Sequence, residues 1–174
     1  FGLGILYVAQ LGDYEAGLAA CQRGLEHHPE ERFVCAFIGS TYARMGRFAQ
    51  AIASLQQTID HQPDNTFAYE SLSIIYLYQK RYDDVITACQ QQIAISDGHS
   101  PRRVLGFVYD FLGRPEAAVA ELERSIALDP EDYEARGALA RLYRTVGRAA
   151  DAAEHYAIAE AQARQDNEYG QACF

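Results

Sequence analysis

The sequence predicts an all-α chain of stacked helix hairpins, and three observations predict it. One position recurs at Gly12, Gly46, Lys80, Gly113 and Gly147, with spacings of 34, 34, 33 and 34 residues. A second position, occupied by Pro29, Pro63, Asp97 and Pro130, keeps the same beat. Between these marks, apolar residues recur with a helical period. A repeat of this length signals supersecondary units that bury their apolar faces only against one another, so the core runs as a ribbon along the stack. Five units, at about 1–30, 31–64, 65–98, 99–132 and 133–164, fill nearly all of the 174 residues. Residues 165–174 read as the start of a further helix or a truncated C-terminal end.

The fourth unit displays the elements most clearly. Ser100 reads as an N-cap and Pro101 as the first helical residue, where a missing N–H costs nothing. Val104, Leu105, Val108, Tyr109 and Leu112 then mark one helical face, and Gly113 ends the helix by tolerating the left-handed conformation. A second helix starts near Pro115 and buries Ala118, Val119, Leu122 and Ile126. Asp129 and Pro130 stop it and cap the next helix, with Glu131 and Asp132 at the positive end of that helix's dipole. Neither helix of such a hairpin can satisfy its apolar face alone.

The unit resembles the tetratricopeptide repeat, whose pattern runs Leu-Gly-x-x-Tyr, then Ala-x-x-x-Phe, then Pro. In chain order, the first copy is the most divergent, with Ile5 and Val8, then Gly17 and Cys21, then Pro29. The second carries Ile38-Gly39 and Tyr42, Ala51 and Leu55, and Pro63. The third has Leu72-Ser73 and Tyr76, Val85 and Cys89, and Asp97. The fourth has Leu105-Gly106 and Tyr109, Ala118 and Leu122, and Pro130; the fifth has Leu139-Ala140 and Tyr143, Ala152 and Tyr156, without the proline. Gly39, Ser73, Gly106 and Ala140 stand where two helices must approach closely, and the tyrosines fill the gap beside them. The resemblance implies a right-handed superhelical solenoid of antiparallel helix hairpins. It also implies that Tyr169, Ala172 and Cys173 open a sixth unit, and that the chain is a segment of a longer protein.

Composition narrows the function classes. A net charge of −9 argues against nucleic-acid binding, which rests on neutralising phosphates with Lys and Arg. Lys80 is the one lysine against fourteen arginines, which we read as coding bias. Cys21, Cys35, Cys89 and Cys173 form no metal-binding spacing, and the first three fall on core positions, where a thiol packs as a small apolar group. That usage suits a reducing compartment, and the cytoplasm is the expected location. The uncharged opening from Phe1 to Gly12 is too short to span a bilayer and lacks a basic leader. His27, His28 and His61 fall at helix ends, His99 in a turn and His155 on the last helix, with no metal-ligand pair among them. There is no glycine loop to cradle phosphate. The expectation is a non-enzyme with no metal and no cofactor.

The resemblance places binding on the first helix of each hairpin, along the concave face. The positions that point there are Leu6 and Gln10, then Phe33, Phe37, Ser40 and Arg44, then Phe67, Glu70, Ile74 and Tyr78. They continue with Arg103, Phe107, Asp110 and Phe111, and with Gly137, Arg141 and Arg144. Ile74, Tyr78, Phe107 and Phe111 are expected to form an apolar floor, with Phe37 and Arg44 nearby. Arg103, Arg141 and Arg144 are expected to form a basic flank suited to an acidic segment. This is the site of a protein- or peptide-binding scaffold. Alternatives are a sensor or recruitment domain of a larger signalling or enzyme chain, and a module that self-associates through its end repeats. The Lys and Asn clamp of chaperone-tail-binding repeats is absent: the equivalent positions read Gly2, Leu6, Phe37, Phe67 and Ser71. So is the asparagine ladder of sugar-transferring relatives, replaced by Phe37, Ser71, Val104 and Ala138.

Overall fold

The computed structural model describes residues 13–27 and 32–172. The expected marks at Gly12, Pro29 and Cys173, and the groove positions Leu6 and Gln10, lie outside the described residues. Among the described residues are nine helices and no strand: α1 (Tyr14–His27), α2 (Arg32–Arg44), α3 (Phe48–His61), α4 (Thr66–Tyr78), α5 (Tyr82–Ile95), α6 (His99–Phe111), α7 (Pro115–Leu128), α8 (Tyr133–Thr145) and α9 (Ala149–Ala172). They fall into two compact units, Phe1–Ile95 and Ser96–Phe174. In the first unit, Ala51, Leu55 and Ile59 of α3 meet Ala68, Leu72 and Ile75 of α4 and Ala88 of α5. Leu18 and Cys21 of α1 form a smaller cluster with Ile38 of α2. In the second, Ala118, Val119, Leu122 and Ile126 of α7 pack with Ala135, Leu139, Leu142 and Tyr143 of α8 and Ala152 of α9.

Every described hairpin turn uses one device. Gly46, Gly113 and Gly147 have φ of 74°, 68° and 82°, and Lys80 reaches 57° at the same place. The N–H of the following arginine then bonds the tyrosine carbonyl five residues back: Arg47 to Tyr42, Arg81 to Tyr76, Arg114 to Tyr109 and Arg148 to Tyr143, at 2.7–2.9 Å. This satisfies the last carbonyls of α2, α4, α6 and α8. It also brings the arginine back over the ring it caps, 4.5 Å from the Tyr76 centroid for Arg81 and 4.1 Å from Tyr143 for Arg148. Such stacking adds a cation–π attraction to the turn.

Two expected caps shift. Helix α6 begins at His99 with Gly98 as its N-cap, so Ser100 and Pro101 lie inside its first turn. A proline there still forfeits no helical bond, because the first four N–H groups have no intrahelical partner. Helix α8 begins at Tyr133 and is capped by Asp132, whose Oδ1 accepts from the Ala135 N–H at 2.9 Å. Asp129 instead closes α7 and accepts from the Glu131 N–H at 3.1 Å. Asp and Asn compete equally well for either job, and chain direction after Pro130 decides between them. Helix α9 runs unbroken for 24 residues to Ala172, where the sequence suggests a separate helix start from residue 165.

The two helices of a hairpin touch through pairs of matched volume. A Cβ placed on Gly39 would lie 2.5 Å from Leu55 Cγ, and one on Gly106 would lie 2.5 Å from Leu122 Cγ. In the third copy the equivalent positions carry Ser73 and Cys89. All of these residues are buried.

The last hairpin holds a polar cluster. The Tyr143 hydroxyl donates to Glu123 at 2.6 Å, and Arg148 donates to Glu123 at 3.1 Å and to Asp151 at 2.6 Å. Burial first, and then Glu123, push the Tyr143 phenol up to about 12. His155 meets Tyr143 edge-on at 5.3 Å, and its Nδ1 is buried without a hydrogen-bond partner. Arg136 and His155 stand 34 residues after Arg102 and Glu121, which form an ion pair at 2.7 Å. Histidine thus replaces the carboxylate. Arg136, 8% exposed, donates instead to the Pro130 carbonyl at 2.7 Å and to Gln162 at 3.2 Å. Burial, followed by the Arg136 charge, holds the His155 pKa below its usual value.

Four outcomes are expected. Gly106→Ser will destabilise the fold by about 1–3 kcal/mol through overpacking. Gly106→Ser combined with Leu122→Cys will cost less than the sum of the two single changes in urea unfolding. Lys80→Gly will stabilise by about 1 kcal/mol by removing the left-handed penalty. His155 has a lowered folded-state pKa, so the unfolded chain takes up its proton first. Stability is therefore intact above the unfolded value of about 6.5 and falls as pH drops from there toward the folded pKa. Urea midpoints measured at pH 7.5 and 5.5 should converge in His155→Gln.

Candidate functional site

In the first unit, α2 and α4 present the expected face. Helix α4 carries a single charged residue, Glu70, in its 13 positions. It buries Leu72 and Ile75 on one side yet leaves Phe67 49%, Ile74 46% and Tyr78 75% exposed on the other. A helix that is apolar all round is not satisfied by the packing of its own unit. Between α2 and α4 lies a cleft of about 490 Å³, lined by Ser40, Ala43 and Arg44 from α2, Gly46 and Phe48 from the turn and α3, and Ser71, Ile74, Ile75 and Tyr78 from α4. The Ser40 and Ser71 hydroxyls meet across its base at 3.3 Å. Arg44 stands at its rim, with its guanidinium 5.4 Å from the Tyr14 ring centroid.

Three of the four expected residues of this unit, Arg44, Ile74 and Tyr78, therefore converge on one cleft. Phe37 does not line it; this residue packs against the Leu18, Cys21 and Ile38 cluster. A second cleft, of about 560 Å³, lies between α1 and α3. It is lined by Gln22, Gln50, Ser54 and Gln57 together with Ile38 and Tyr42.

In the second unit, Phe107 and Phe111 stand one turn apart on α6, 38% and 69% exposed. The three arginines expected to flank them fare differently. Arg103 lies 3.1 Å from Asp132 and 3.3 Å from Glu134, and Arg141 lies 2.6 Å from Asp110. Both charges are answered within the unit. Arg144 is exposed and forms no ion pair with any described residue. The basic flank of the second unit is thus reduced to Arg144, with Arg103 and Arg141 held as α6–α8 crosslinks.

Sequence inspection missed Ala43, Phe48 and Ser71 as cleft residues. The signal that locates them is an offset of 31 residues rather than 34. Ser40 meets Ser71, Arg103 meets Glu134, and Asp110 meets Arg141 at that separation. Neighbouring first helices pack with a shift of about one turn, so facing side chains sit roughly three residues short of the repeat.

Among the described residues, no group of three or more His, Cys, Asp or Glu side chains is arranged to hold a metal ion. Among the same residues, no helix is long and apolar enough to cross a membrane. Cys21 and Cys89 are buried thiols, and burial pushes the Cys21 thiol up.

Comparison with known proteins bears on the fold. Models of the tetratricopeptide repeat match residues 38–99 and 112–173, together more than half of the chain. A crystal structure of MamA superposes with a TM-score of 0.80 at 23% identity, covering 93% of this chain and 95% of that one. MamA from Desulfovibrio magneticus RS-1 gives 0.75 at 18% identity, covering 91% and 90%. TTC0263, a thermophilic repeat protein of the same type from Thermus thermophilus, gives 0.66 at 27% identity, covering 95% and 91%. No curated protein sequence matches the chain. The repeat matches, the hairpin turns and the paired small and large residues agree: the chain is an all-α member of the tetratricopeptide repeat family.

Proposed function

We propose that the chain is a non-catalytic scaffold that binds a segment of another protein along the first helices of its hairpins, in the cytoplasm. The observation that carries this reading is α4. Its exposed Ile74 and Tyr78 overhang an open cleft with the buried Ile75 in its wall, while Leu72 is buried in the core. Exposed aromatic and aliphatic groups beside a concavity are what a peptide-binding surface requires. Phe107 and Phe111 offer a second apolar contact on α6 of the other unit. Arg144, with no carboxylate of its own among the described residues, favours a partner that carries acidic groups. Tyrosine and arginine are also the residue types that most often dominate binding energy.

Tyr78→Ala is expected to weaken partner binding about tenfold or more in a titration with the purified partner. Its urea midpoint should stay close to that of the parent, because the ring is 75% exposed and contributes little to the core. Phe111→Ala tests the second contact in the same way. Partner affinity unchanged in both variants would move binding away from these helices.

A further inference from the structure

Charges of opposite sign flank the apolar part of the cleft between α2 and α4, one in its lining and one further along α4. At one end stands Arg44, in the last turn of α2, with Lys80 two residues beyond Tyr78. Neither forms an ion pair with a described residue, whereas Arg47 and Arg81 in the adjoining turns are held by Glu15 at 2.7 Å and Asp84 at 2.7 Å. One turn before Ile74 on α4, beyond the residues that line the cleft, stands Glu70, the sole charge on that helix and likewise without an ionic partner among the described residues. Glu70, Ile74 and Tyr78 are spaced by four residues and so share one helix face. At a rise of 1.5 Å per residue, Glu70 lies about 12 Å from Tyr78 along α4. An extended chain covers that distance in about four residues. Cation, apolar floor and anion therefore lie in a row, with Ile74 and Tyr78 between the charges.

We infer that this cleft takes a dipolar segment: a short apolar stretch with a carboxylate at the Arg44 end and a cation at the Glu70 end, about four residues apart. This rests on the proposed scaffold function and adds to it the charge pattern of the partner. The apolar contact supplies adhesion that is indifferent to direction. The two terminal charges admit the segment in one orientation and disfavour the opposite one, because like charges would then face each other. A uniformly acidic segment meets Glu70, and a uniformly basic one meets Arg44.

Four capped pentapeptides with a common three-leucine core test this. One carries Glu and Lys at its ends, one Glu at both, one Lys at both and one Gln at both. Titrations followed by amide chemical shifts at Ser71 and Ile74 should rank the Glu/Lys peptide first, with each matched charge improving affinity by about two- to fivefold. In Arg44→Glu, the peptide with Lys at both ends should become the best ligand. In the exchange variant Arg44→Glu with Glu70→Arg, the Glu/Lys peptide should regain first place by binding reversed. An unchanged ranking in Arg44→Glu would overturn the dipolar reading while leaving the groove intact, provided Tyr78→Ala weakens all four peptides. Failure of every peptide to bind, or binding indifferent to Tyr78→Ala, would overturn the scaffold reading together with it.

Discussion

The close approach of the two helices in each hairpin is the constraint on which the rest of the structure depends. Leu55 and Leu122 occupy the space that a Cβ on Gly39 or Gly106 would need. A large side chain on one helix therefore requires almost nothing on the other, and Ser73 with Cys89 solves the same problem with two middling residues. Interaxial distance follows from the volumes at such contacts. Once it is set, the recurring tyrosine falls beside the pair and its carbonyl meets the arginine N–H that closes the turn. Core packing and turn geometry are thus two consequences of one steric arrangement.

That arrangement also decides which side chains remain available. The helix face turned toward the partner helix is consumed by packing, and the face turned toward the next hairpin is consumed at an offset of 31 residues. What is left on α4 is a stripe of Glu70, Ile74 and Tyr78, and on α6 the rings of Phe107 and Phe111. These large apolar groups are exposed because each helix has more apolar faces than its neighbours can cover. In an acidic chain, a carboxylate lies close to most arginines, and Arg103 and Arg141 are spent on α6–α8 pairing. Arg44 and Arg144 form no ion pair with a described residue.

The last hairpin follows a different logic from the one before it. Arg102 is held by Asp97 at 2.5 Å and by Glu121 at 2.7 Å, and the Arg102 hydrogen bond keeps the Asp97 carboxyl below its usual range. One repeat later, histidine stands in place of the glutamate, and Arg136 turns to the Pro130 carbonyl. That carbonyl, in the turn two residues past α7, accepts a charge-assisted hydrogen bond from the buried guanidinium. His155 is left with a hydrophobic ring contact and no anionic partner of its own. The two hairpins share a fold and differ in how they answer a single buried cation.

Much of this molecule was legible in its residues. The period of 34, the left-handed turn positions and the alternation of small and large packing residues are local or nearly local properties, and they fix the helix hairpins without reference to anything distant. Ile74 and Tyr78 share a face by helical arithmetic, and the register of the repeat put Arg44 on the equivalent face of its own helix. Tertiary structure decided the remainder. It moved the cap of α8 from Asp129 to Asp132, because an aspartate stands at both positions and only the path after Pro130 distinguishes them. It set the half-buried Phe37 against the Leu18, Cys21 and Ile38 cluster rather than in the cleft, a contact made between helices and so invisible to helical periodicity. It also neutralised Arg103 and Arg141, because the carboxylates that hold them come from other helices, 29 to 31 residues away, and electrostatic partnership depends on distance in space.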